Sequence, residues 1–352
     1  MTQYVIRRTL QAIPLLILIT IFVFFLIKAA GDPLAELALD PTRTEADQAI
    51  LRARYGLDDP LALQFVHWLI GDDWYTRQIN LGDPDGDGED NIIEENGDRQ
   101  GIIRGDFGIS LSRDGLPVTE VISRHLPRTL LLGSAALFVT IIISFALGIF
   151  AALHQYTIAD NVITGAAFLT FSVPVFLVAL ILVQIFAVQF HRWGLPRLPV
   201  EGMYDPRGDR SLDELLRHLV LPTMSLALIS IASYSRYIRS TMLEVINTDY
   251  VRTARSKGLG ERRVLYIHAL KNASLPIITL IGLDIPFIIS GAVITETIFS
   301  WQGMGWMFIT ALEELDQALL SATVLMIAVA VVFFQLLTDV MYAVLDPRIR
   351  YS

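Results

Sequence analysis

Residues 83–94 read DPDGDGEDNIIE. Asp83, Asp85 and Asp87 alternate, Gly88 follows, and Glu94 closes the segment. That spacing satisfies D-x-[DN]-x-[DN]-G-x5-E, the pattern of an EF-hand calcium loop. Alternating carboxylates converge on one hard cation, and Gly88 permits the sharp turn. Glu94 is placed to bind through both oxygens, Glu89 offers a backbone carbonyl, and Asn91 offers a ligand through water. Two features oppose this reading. Asp90 stands where an apolar residue is usual, and no long helix is evident on either side. A calcium site and a solvated acidic loop therefore remain alternative readings. An affinity of about 10⁻⁴–10⁻³ M would suit an extracellular site.

A second segment, 240–274, reads STMLEVINTDYVRTARSKGLGERRVLYIHALKNAS. A plain link between helices runs about 2–8 residues, so this one has work of its own. The pattern predicts a short helix over 242–256, a break at Gly258-Leu259-Gly260, and a second helix from Glu261. Each carries apolar residues among basic ones. Such a stripe must be buried against a bilayer surface or in a partner's groove. Ala254 and Gly258, four apart, would offer a small-residue face for close helix approach. Arg252, Arg255 and Lys257 would steer toward an acidic partner.

Ionisable residues inside apolar runs are the third group. Asp284 lies mid-run, two residues before Pro286. It reads either as a cavity group meeting a substrate amine or cation, or as an acid satisfied by a neighbouring helix or water. Asp339 reads as structural, and Glu296 and Lys28 as snorkelling from span ends. Pro174 and Pro286 would kink their helices. His125, His154, His191 and His218 read as interfacial, and the six His are too scattered for a metal cluster.

Known reactive motifs are absent. There are no Cys, so disulfides, thiol nucleophiles and Cys-ligated zinc are excluded. G-x-S-x-G, H-E-x-x-H and S-x-x-K do not occur, and no catalytic residue is expected. The three Lys (Lys28, Lys257, Lys271) are never followed by Ser or Thr, so there is no Walker A loop. Any ATP must be bound by another subunit.

The elements that position these residues are long apolar runs. The chain is 53% hydrophobic and 18% charged, with mean hydropathy +0.52. That excludes an ordinary soluble domain, which carries about 25% charge. A membrane crossing needs about 20 apolar residues. Six candidates occur at 10–30, 129–153, 162–188, 219–237, 275–299 and 319–345. The fourth is rich in Ser, which suits burial among other helices. Six crossings put both termini on one side. The segments 1–9, 154–161, 239–274 and 346–352 then hold eleven basic and five acidic residues, which makes that side cytoplasmic. The formal charge of −9 is uneven: 31–128 carries −11 and the remainder +2.

Asp249-Tyr250-Val251-Arg252-Thr253-Ala254-Arg255-Ser256-Lys257-Gly258-Leu259 resembles the EAA loop of ABC importer permeases, in the oligopeptide/dipeptide/nickel branch (OppB/DppB-type). Tyr4-Val5-Ile6-Arg7-Arg8, Gly31-Asp32-Pro33 and Arg104-Gly105-Asp106-Phe107-Gly108 fit the same family. So do Glu296-Thr297-Ile298-Phe299-Ser300-Trp301 and Leu345-Asp346-Pro347-Arg348-Ile349-Arg350-Tyr351. The resemblance covers the chain apart from about 71–103, and Asp284 departs from the amide more usual there.

The resemblance implies an all-α membrane protein of six transmembrane helices, the type I ABC importer permease fold. Residues 1–30 would hold the first helix and 31–128 a large extracytoplasmic loop with an acidic insert at about 71–103. Residues 129–346 would form the permease core with its coupling loop at 240–274, and 347–352 a cytoplasmic tail. It implies a permease subunit in a bacterial or archaeal plasma membrane, importing dipeptides or oligopeptides, with nickel or another small solute as alternative cargo. In such a family Asp249, Tyr250, Arg252, Ala254, Arg255, Lys257, Gly258 and Leu259 belong to a helix that docks on an ATPase subunit. The implied partners are a second OppC/DppC-like permease, two cytoplasmic ATPase subunits, an extracytoplasmic solute-binding protein and membrane lipid, with no nucleic acid. Asp284 and Pro286 are translocation-path candidates. Two rival readings are a secondary transporter using Asp284 and Asp339, and a membrane-anchored calcium-binding module.

Overall fold

A helix with a long apolar stretch is poorly housed in water, and five such helices occur among the described residues. A computed structural model describes all residues except 1, 30, 32–49, 51, 54–55, 81–91, 114 and 346–352. In chain order the elements are α1 (Thr2–Ala29), α2 (Leu61–Ile70), β1 (Thr76–Asn80), β2 (Ile92–Asn96), β3 (Ile109–Ser110), β4 (Leu116–Pro117), α3 (Val118–Leu153), α4 (Ile158–Ser172), α5 (Val175–Arg192), α6 (Leu212–Ile246), α7 (Asp249–Ser256), α8 (261–273), α9 (Leu275–Ser290), α10 (Val293–Ile298), α11 (Met304–Glu313) and α12 (Gln317–Leu345). Among the described residues, α1, α3, α5, α6 and α12 are long and apolar enough to cross a membrane.

Two expected spans are not single helices. The run 162–188 is broken at Val173-Pro174. Proline lacks the N–H that would continue the ladder and pushes the residue before it out of the helical region. The run 275–299 ends its first helix at Gly291, whose φ of +84° is left-handed. A Cβ there would lie 2.5 Å from the Gly305 nitrogen, so glycine alone fits. The 16 residues of α9 rise about 24 Å, short of the ~30 Å hydrocarbon layer.

The all-α expectation also needs correction in the outer region. β1 and β2 pair antiparallel in the register Thr76↔Asn96 to Asn80↔Ile92, and β3 pairs with β4. The hairpin's connection, 81–91, lies outside the described residues and holds Asp83, Asp85, Asp87, Glu89 and Asn91. Glu94 stands on β2 opposite Gln78, whose Nε2 donates to it at 3.3 Å. A strand thus occupies the place of an EF-hand's exit helix.

The chain divides into two packed units: Met1–Gln11, His125–Met307 and Val329–Ser352 form one, and Ala12–Arg124 with Phe308–Ala328 the other. In the second, Phe24 of α1 packs on Phe65 and Trp68 of α2, with ring centroids 5.3 and 5.4 Å apart. Its polar centre is Arg77, which donates to Asp72 (2.9 Å), Asp59 (3.1 Å) and His67 Nδ1 (3.1 Å). Burial, and then the Arg77 charge, lower the His67 pKa. Asp316 accepts from the Ser110 and Ser112 hydroxyls and caps α12 through the Leu319 N–H. The loop expected at 300–318 contains α11, with Met304, Met307 and Ala311 buried.

In the first unit, α4 and α5 pack against α6, the most buried of the five long helices. Its Ser225 and Ser235 are buried, as small polar residues in a bundle should be. Their hydroxyls donate to the carbonyls of Pro222 and Ala232, so neither is left unsatisfied.

Candidate functional site

The segment after α6 folds as a helix, a turn and a helix. Asn247 and Thr248 end α6 four residues beyond the expected start of the first short helix, so Met242 belongs to α6 and α7 begins at Asp249. The Asn247 side chain donates to Leu243 O and Thr248 Oγ1 to Val245 O, which supplies the last turn's free carbonyls with donors. Gly258 closes α7 at φ +74°, with its N–H on Arg255 O at 2.9 Å. The Arg255 guanidinium then clamps Glu261 across the turn, at 2.8 Å from Oε1. That bond holds the Glu261 carboxyl below its usual range.

The apolar stripe of this segment is buried within the chain. Val251 and Ala254 of α7 and Val264, Ala269 and Ala273 of α8 join Ile238 and Met242 of α6 and Ile277 of α9 in one core. Leu259 packs against it. This corrects the expectation that the stripe, and Ala254 with it, waits for a partner. Residues one and two steps off the stripe face outward instead: Asp249, Tyr250, Arg252, Arg255, Lys257 and Gly258 are exposed. Tyr266 and Ile267 of α8 are exposed large hydrophobics on the same segment. Asn272 Nδ2 donates to the Tyr250 hydroxyl at 3.0 Å and so fixes that ring. Around Gly258 nothing lies within 4 Å of where a Cβ would stand. The segment is thus seated on the bundle by one face and open on the other.

Beside the bundle lies a cavity of about 330 Å³, lined by α3, α6, α9 and the start of α10. Asp284 is on its wall, and its carboxylate accepts from the Tyr234 hydroxyl of α6 at 2.5 Å. Pro286 is buried in α9 and does not line it. Glu296 is fully buried, which overturns the snorkelling reading. Its Oε1 accepts from Thr129 Oγ1 at 2.8 Å, and its Oε2 from the backbone N–H groups of Gly305 (2.8 Å) and Trp306 (3.0 Å). Those N–H groups open α11, so the carboxylate sits at a helix N-terminus. The Thr129 oxygen also accepts from Met304 N, tying α3, α10 and α11 together. Gly303 and Gly305 were the available sign, since glycines leave backbone N–H groups open to an anion.

Two further polar pairings escaped sequence reasoning. Asp160, at the start of α4, takes a two-pronged bond from Arg239 of α6, at 2.6 and 2.8 Å. Arg239 first, with the Tyr156 N–H and the Thr164 hydroxyl, holds its pKa down to about 2. Arg236 places its guanidinium over Phe168 and Phe171, 4.5 and 5.0 Å from the ring centres. His218, expected at an interface, is buried and bonds to Gly202 O through Nδ1. Among the described residues no cluster of three His, Cys, Asp or Glu could hold a metal ion.

Residues 144–351 match the family described as binding-protein-dependent transport system inner membrane component, and residues 1–82 match its N-terminal membrane component. The chain is 38% identical over 352 residues to the oligopeptide transport system permease protein AppB of Bacillus subtilis strain 168, with the whole of both chains covered. It is 32% identical over 374 residues to the dipeptide transport system permease protein DppB of Escherichia coli K12. It is also 32% identical over 352 residues to the oligopeptide transport system permease protein OppB of the same strain. Both alignments again cover the whole of each chain. With five long apolar helices, the chain is a multi-pass protein of the inner membrane, and it belongs to the family of binding-protein-dependent transport system inner membrane components.

Proposed function

We propose that this chain is the permease subunit of an ATP-driven importer of dipeptides or oligopeptides and forms half of the translocation pathway. The observation that carries the reading is the join of α7 and α8 to the feet of α6 and α9, with a charged rim left open. Full-length similarity to peptide permeases supports the cargo. A solute-binding protein delivers the peptide, and a second permease completes the cavity. As two ATPase subunits close, one of them pushes on Asp249, Tyr250, Arg252, Arg255, Lys257 and Gly258, and the shared core passes the movement to α6 and α9, which line the cavity. The chain contributes no catalytic group, and ATP is hydrolysed by its partners.

In this reading 162–188, bent at Pro174, and 275–299, bent at Gly291, complete six crossings, with both termini in the cytoplasm. Asp284 lies on the path. Pro286 acts from inside α9, as a weak point in its hydrogen-bond ladder. The loop 83–94 remains a calcium-site proposal of its own, supported by its residue pattern.

The test is reconstitution of the full complex, with its partner subunits, in proteoliposomes. Peptide-dependent ATP hydrolysis with accumulation of labelled peptide is the expected result. Peptide uptake driven by an ion gradient without ATP would favour a secondary transporter and refute the proposal.

A further inference from the structure

The cavity beside α9 has a one-sided charge. Among the described residues its lining includes two carboxylates, Asp284 and Glu296, and no Lys, Arg or His. Hydroxyls of Thr129, Thr140, Ser230 and Ser290 add further oxygen to the wall. The two acids are not equivalent. Glu296 is sealed: its oxygens are committed to Thr129, Gly305 and Trp306, and the residue has no exposure. Asp284 is half-buried on the wall, and its one hydrogen bond engages Oδ2 with the Tyr234 hydroxyl. Among the described residues, no basic group comes within ion-pair distance of it.

An acid in an apolar helix is costly unless it meets a cation or water, and such residues mark pathways for charged solutes. The volume, about 330 Å³, is room for several waters and an entering ammonium group. A tyrosine hydroxyl donating to one oxygen orients the carboxylate and leaves its other oxygen for a visitor. We propose that Asp284 is the specificity residue of the cavity and receives the ammonium group of the passing substrate, so that peptides carrying a basic side chain are favoured over acidic ones. The inference rests on the importer reading and adds the charge class of the cargo.

The experiment compares uptake of two equal-length peptides, one with lysine and one with glutamate at the same position, by the reconstituted complex. The Lys:Glu uptake ratio of the Asp284→Asn complex is divided by that of the unmutated one. The binding protein's own preference then cancels. Asparagine keeps an oxygen for the Tyr234 hydroxyl and removes only the charge, so a merely structural role would lower both uptakes alike. The expected result is a ratio about tenfold lower, close to 1.4 kcal/mol of discrimination, with Asp284→Glu retaining the unmutated ratio. An unchanged ratio in Asp284→Asn, at equal membrane content, overturns the assignment. If the unmutated complex imports neither peptide on ATP, the importer reading itself fails, and the assignment with it.

Discussion

Replacing Asp160 by Asn tests how firmly α4 is held to α6. The carboxylate is 1% exposed and accepts two short bonds from Arg239, one from Tyr156 N and one from Thr164 Oγ1. Its pKa falls from the ordinary 3.8 to about 2, with Arg239 the largest cause. At about 1.4 kcal/mol for each tenfold change in proton affinity, that preference for the charged form is worth about 2.5 kcal/mol. The pKa is depressed on folding. The stabilisation is therefore complete above the unfolded value, and it is lost as pH falls from about 4 through about 2. Denaturant unfolding in mixed micelles at pH 7 should show Asp160→Asn destabilised by about 2 kcal/mol, and at pH 3 the gap should narrow clearly. Arg239→Met should cost more, about 3–5 kcal/mol, because it leaves a buried carboxylate with no cation. The double variant should recover part of that loss. A single Asn variant within 0.5 kcal/mol of the parent at pH 7, or a gap unchanged at pH 3, would refute the reasoning.

Three other perturbations have defined outcomes. Gly258→Val places a branched side chain at φ +74°, a strain of about 1–2 kcal/mol. The buried stripe of Val251 and Val264 should keep the segment folded, so the variant should assemble and hydrolyse ATP while losing peptide uptake at least fivefold; full uptake would remove the coupling role. Glu296→Ala strands the Thr129 hydroxyl and two N–H groups, each costing about 1–3 kcal/mol, whereas Glu296→Gln keeps an acceptor. A thermal-shift series in detergent should rank the parent above Gln and Gln well above Ala, and equal Gln and Ala variants would contradict the bonding described. For the loop at 83–94, 10 mM calcium with a dissociation constant of about 10⁻⁴–10⁻³ M should stabilise the chain by about 1.4–2.7 kcal/mol. The effect should vanish in Asp85→Asn/Asp87→Asn, and an unmutated chain indifferent to calcium would leave a solvated loop.

Much of the fold is legible in the apolar runs. Five of the six runs overlap a helix long enough to cross a membrane, because length and composition settle that locally. The breaks were harder. Pro174 announced itself as a kink but became a full interruption of the run 162–188. Gly291 ends α9 because Gly305 stands where a side chain would be, and that neighbour is invisible from the sequence around 291. The short strands of the outer region have no strong alternating pattern, and pairing decides them.

The functional residues divide in the same way. The sequence by itself determined the class of the protein, the site of the Gly258 turn and the basic rim of 252–257, all of which depend on residues close together in the chain. Tertiary structure alone decided which side of α7 is open, since burial of Ala254 depends on Ile238, Val264 and Ile277 arriving from other helices. It likewise made Glu296 a sealed anchor and left Asp284 facing a cavity. In sequence both are acids within one apolar stretch. What separates them is whether three donors converge on the carboxylate or one, and that convergence is a property of packed helices rather than of neighbouring residues.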